Sequence, residues 1–230
     1  MQLNTFRSLC RSLLVSAPLF ALLACSSSGP KAKAIDNALL ADLSDEERAP
    51  IALARSARDE AGDALAVAAK ELKNAPERVK MGKANLDSEK AAHAKSKLAA
   101  EYAKNSGTPE EAAAAAASLE FHSAMMEAAK LEVELNQREY ELAKISHKMA
   151  EGNLELAEAK IEATKARAVK GLNLAATAEI DPDLYQSIVE NRTQAVEKLR
   201  QKLADRKSGI KEMRDRVVSL QNSASAMEPR

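Results

Sequence analysis

The chain has 230 residues, and its 34 basic side chains balance its 34 acidic ones. Alanine fills 47 positions, aromatics make up only 3%, and there is no tryptophan. This excludes a strand-rich sandwich or barrel, which needs β-branched and aromatic residues with frequent Gly/Pro turns. The Ala, Glu, Lys, Leu and Arg bias favours long helices, and without a basic stripe nucleic acid is not an expected partner.

Residues 1–24 open with Arg7 and Arg11 and continue in a mostly apolar run from Ser12 to Leu23. That run is too short for an ordinary membrane-spanning helix and has the layout of a signal peptide. It ends in Leu22-Leu23-Ala24-Cys25, followed by the polar Ser26-Ser27-Ser28-Gly29-Pro30. The tetrapeptide resembles the lipobox of bacterial lipoproteins. The resemblance implies that Cys25 receives a diacylglyceryl group, that the peptide is cut after Ala24, and that the new amino terminus is acylated. Three acyl chains at about 0.8 kcal/mol per buried methylene make a stable anchor. In Gram-negative members of the family an Asp after the Cys retains the protein in the inner membrane. Ser26 stands there instead, so the resemblance implies the outer membrane, facing the periplasm. Cys10 would leave with the signal, so no structural disulfide is expected. The mature chain, Cys25 to Arg230, would carry a formal charge of −2, with 32 basic and 34 acidic groups.

After a flexible tether over 25–44, three long helices are expected, over about 45–104, 109–170 and 182–222. Asn105-Ser106-Gly107 stops the first, and Thr108-Pro109-Glu110-Glu111 starts the second with an N-cap, a proline at the first helical position and a capping-box Glu. Gly171 ends the second, a linker spans 171–181, and Asp181-Pro182-Asp183 starts the third. Residues 223–230 read as a disordered tail.

The first helix repeats every seven residues through Ile51, Arg58, Leu65, Leu72, Val79, Leu86, His93 and Ala100. A companion seam of mostly small residues runs through Ala54, Ala61, Ala68, Ala75, Gly82, Glu89, Ser96 and Ala103. The repeat crosses Pro76 in phase, which predicts one bent helix. The second helix carries two stripes. One runs through Leu119, Met126, Val133, Tyr140, His147, Leu154 and Ile161, with its heptad companions from His122 to Thr164. The other runs through Phe121, Ala128, Leu135, Leu142, Met149, Leu156 and Ala163. At about 100° per residue they lie on nearly opposite faces, which predicts a helix sandwiched between the other two. The third helix has one seam, Val189, Val196, Leu203, Ile210 and Val217, interrupted by Arg192 and Arg206.

The fold expected is therefore all-α. A long antiparallel coiled-coil hairpin over 45–170, about 90 Å in length at 1.5 Å per residue, joins a shorter third helix in a three-helix rod. The third helix should cover only the basal two-thirds. A distal stripe through Ala114, Ala117, Phe121, Ala124 and Ala128, with Met125 beside it and Tyr102 at the same end, is then left open. An uncovered apolar stripe invites a helical partner or self-association, so Tyr102, Phe121 and Met125 are the candidate partner-binding residues.

Glu89, His93 and His122 could converge across the hairpin as a three-ligand zinc site, although histidines at half-exposed seam positions account for the pattern without a metal. No GxGxxG, P-loop, CxxC or HExxH occurs, and Ser208-Gly209-Ile210-Lys211 matches SxxK spacing without its companion motifs. No catalytic residue, cofactor, metal or small-molecule substrate is assigned. The expectation is a lipid-anchored periplasmic spacer, scaffold or adaptor, the alternative being a ligand- or metal-binding envelope lipoprotein. The hairpin loosely resembles those of efflux adaptors and of Ala-rich murein-type lipoproteins, without the lipoyl and barrel modules of the former or the terminal Lys of the latter.

Overall fold

The computed structural model describes residues 32–172 and 175–227. Among these are three long helices: α1 (Asp45–Ser106), α2 (Pro109–Gly171) and α3 (Pro182–Ala226). Short 3-10 turns at Asn37–Leu40 and Ala175–Thr177 precede α1 and α3. No described helix is long and apolar enough to cross a membrane. The signal segment, Cys25 and the lipobox lie outside the described residues.

The helix starts have local causes. The Ser44 hydroxyl accepts from the Glu47 N–H, and the Glu47 carboxylate accepts from the Ser44 N–H at 2.8 Å. Thr108 and Glu111 repeat the arrangement ahead of Pro109. Each box satisfies N–H groups that the first turn leaves without intrahelical partners. Only Gly107 and Thr108 separate α1 from α2. A Cβ at Gly107 would lie 2.7 Å from the Ala103 carbonyl oxygen and 3.1 Å from the Ala103 Cα. Backbone cannot give way there, so the turn takes glycine.

α2 is the middle of a single layer. α1 packs on one side of it and α3 on the other, with little contact between α1 and α3. The expected seams are the observed ones. Ile51, Ala68, Ala75, Gly82, Ser96 and Ala103 of α1 are buried, facing the Ala129, Ala143, Ala150 and Ala157 row of α2. On the other side Val196, Leu203, Ile210 and Val217 of α3 are buried, with Ile210 and Val217 packed on Leu135. Small residues on the α1 side let the two backbones approach, as at Gly82, where a Cβ would meet the Asn136 amide nitrogen at 2.8 Å. Glu139 of α2 accepts from Arg214 of α3 at 2.5 Å and lies 4.0 Å from Arg78 of α1, linking all three helices along one face of the layer.

Two expectations need correcting. Residues 32–44, read as the end of a flexible tether, are held on the base of the rod. Ile35 and Leu43 are buried, and Ile35 joins Ala163, Ala166, Val169 and Tyr185 in a compact apolar cluster. The Tyr185 hydroxyl donates to the Lys33 carbonyl at 2.5 Å, and the Ile35 N–H donates to the Glu162 carboxylate at 2.7 Å. Glu162 also receives the buried Lys165 ammonium at 2.7 Å. The second correction concerns α3, which runs to Ala226, one turn past the expected end at 222, so four residues of the expected tail are helical.

Candidate functional site

The extra turn of α3 changes the distal end. Val196 of α3 packs at Gly152 of α2, and the same antiparallel register carries Ala224 to the level of Ala124 and Ala128. Ala224 and Ala128 are accordingly buried, and Phe121, Ala124 and Met125 are half-buried. The open part of the expected stripe is therefore shorter, with Ala114 and Ala117 still exposed beyond the end of α3.

The three candidate partner-binding residues are not gathered into one patch. Phe121 and Met125, one turn apart on α2, lie under the end of α3, and the Phe121 ring meets His122 edge-on at 4.9 Å. Tyr102 is 73% exposed on the outer edge of α1. It stands in heptad register with Leu53, Val67 and Met81, which are also exposed.

The proposed convergence of Glu89, His93 and His122 does not form. His122 Nδ1 is buried without a hydrogen-bond partner and lies 3.9 Å from the Glu89 carboxylate, beyond hydrogen-bonding distance. His93 lines a different feature, a groove over the α1–α2 seam. Among the described residues no group of three His, Cys, Asp or Glu side chains is placed to share a metal ion.

That groove lies at the tip and is about 800 Å³ in volume. Its floor is apolar, built from Ala100 of α1 and Ala116, Leu119 and Ala124 of α2, and Met227 closes it where α3 ends. Its walls are charged with opposite sign: Lys97 and Lys104 on α1, Glu120 and Glu127 on α2. None of these four has an ion-pair partner among the described residues. A smaller recess at the base, about 500 Å³, is lined by Arg55, Arg58 and Lys165 against Asp59, Glu158 and Glu162. Its charges balance, and Arg58–Asp59 and Lys165–Glu162 pair within it.

Sequence reasoning missed the groove although its signal was present. Lys83, Lys90, Lys97 and Lys104 are spaced by seven, as are Glu120, Glu127, Glu134 and Glu141. Each row alone reads as a solvated helix face. Their meaning depends on antiparallel packing, which sets the two rows on the same side of the seam. Comparison of the chain with protein-family models, curated proteins and solved structures gives no match.

Proposed function

We propose that this chain is a lipid-anchored periplasmic protein of the Gram-negative outer membrane, acting as a spacer or adaptor through helix–helix contacts at its distal end. One observation carries the reading. The segment leading from Cys25 into the fold is pinned at the base by Ile35 and by the Tyr185–Lys33 hydrogen bond. The groove lies toward the far end of α2, about 70 Å from the Ile35 cluster, counting 1.5 Å per residue between Ala166 and Leu119. A lipid on Cys25 would therefore hold one end of the rod within seven extended residues of the membrane, roughly 25 Å, and present the other end to a partner. The shape suits bridging a distance.

Two measurements test the two halves of the proposal. Mass spectrometry of the N-terminal peptide should find the acyl chains on a chain beginning at Cys25, and Cys25→Ala should leave the membrane fraction. A photoreactive residue at Phe121 or Tyr102 should yield protein adducts in cells. Membrane attachment that survives Cys25→Ala sinks the anchor, and a tip that yields no adduct at either position sinks the adaptor.

A further inference from the structure

We propose that the tip groove docks a second copy of this chain, the two hairpins lying face to face and pointing the same way. This rests on the adaptor reading above and names its partner. The observation behind it is the split charge of the groove: a lysine wall on α1, a glutamate wall on α2, an apolar floor between, and no ion pair among the described residues for Lys97, Lys104, Glu120 or Glu127.

Two symmetric copies can meet across such a groove in two ways. A two-fold axis running across the helices lays α1 on α1, so that lysine meets lysine and glutamate meets glutamate. An axis running along the helices lays each α1 over the other copy's α2. Lys97 of one chain then faces Glu120 of the other, close to the level of the Ser96–Ser118 contact, twice over by symmetry. Only the second arrangement pairs opposite charges, and like-charge juxtaposition disfavours the first. It also sends both bases to the same end, as two chains anchored in one membrane require.

The match is confined to the tip. Nearer the base the same face of α2 mixes signs through Lys130, Lys144 and Lys148. Some 12 residues of α1 and 16 of α2, at 1.5 Å rise per residue and ~10 Å helix width, give a footprint of about 400 Å² per copy. The total, about 800 Å², falls below that of a stable dimer in dilute solution. Confinement to one membrane raises the effective concentration of each tip for the other, so the contact forms on the membrane and is weak off it.

The test uses the full lipidated chain, prepared with natural-abundance and with ¹⁵N nitrogen, mixed and reconstituted in phosphatidylcholine vesicles. A water-soluble carbodiimide joins Lys and Glu side chains that touch, and peptide pairs of mixed isotope identify links between copies. The expected result is mixed-isotope links from Lys97 to Glu120. They should be lost in K97E and return, with the linked side chains exchanged, in K97E/E120K. Helicity by circular dichroism confirms that the variants remain folded. Same-isotope links alone overturn the proposal, as does a K97E/E120K chain in which no mixed-isotope links return. In-cell adducts at the tip that contain only a different protein overturn the second copy and leave the adaptor reading standing. A tip that yields neither adducts nor mixed-isotope links overturns both.

Discussion

Truncating Ile35 to alanine isolates the docked N-terminal segment. Ile35 is 6% exposed and contributes its side chain to the cluster with Ala163, Val169 and Tyr185. Isoleucine-to-alanine changes in cores cost about 2–5 kcal/mol, transfer and cavity together. The site lies at the end of the rod, where a short segment can settle into the space, so the lower part of that range, about 2–3 kcal/mol, applies. At 1.4 kcal/mol per factor of ten, the opening equilibrium of residues 32–43 rises roughly 30- to 150-fold. Tyr185→Phe is the milder companion. It keeps the ring but removes the hydrogen bond to the Lys33 carbonyl, costing about 1 kcal/mol, or roughly fivefold in opening. Hydrogen exchange followed by mass spectrometry reads both, with peptides from 32–43 set against the interior of α1 and α2. If 32–43 exchanges without protection in the unaltered chain, or if Ile35→Ala leaves its protection unchanged, the docked segment is refuted.

Three further outcomes follow from other parts of the structure. Burial, and secondarily Glu162, raise the Tyr185 hydroxyl above its usual 10.0. A raised phenol contributes stability that is complete below pH 10 and lost as pH climbs through the folded value. Exchange protection over 32–43 should therefore fall in alkaline solution, and Tyr185→Phe should flatten that dependence. At the start of α1, hydrogen bonds from Ser44 hold the Glu47 carboxyl below 4.5. This contribution is present above pH 4.5 and lost as pH falls through the folded value, so the first turn of α1 should fray on acidification while Glu47→Gln makes its exchange insensitive to that change. Along α1, Gly82→Leu should destabilise by roughly 1–3 kcal/mol through overpacking against Val133 and Asn136. Gly62→Ala, where a Cβ meets nothing within 4 Å, should instead stabilise by up to about 1 kcal/mol. Urea midpoints measured on the pair distinguish the tight seam from the open face.

The sequence by itself determined which residues face a neighbouring helix. Leu119 to Ile161 and Phe121 to Ala163 announced two opposed stripes on α2, and both are filled. That much is legible because heptad spacing is local, repeats many times along each helix and tolerates a misplaced residue. Helix starts were legible for the same reason, since Thr108 and Glu111 are only three residues apart.

Tertiary structure decided what sequence spacing cannot encode. The bonds that pin the N-terminal segment join residues 127 and 152 positions apart, Ile35 to Glu162 and Lys33 to Tyr185. The last turn of α3 is held by Ala224, which continues the seven-residue spacing past Val217 and is buried only because α2 extends beneath it. His93 and His122 share a level of the hairpin but point to different features, because a seam position fixes the facing helix and not the side of the seam. Lys97 and Glu120 came to face each other across one groove only through antiparallel packing of α1 on α2. Local periodicity chose the faces, and long-range packing chose which faces meet.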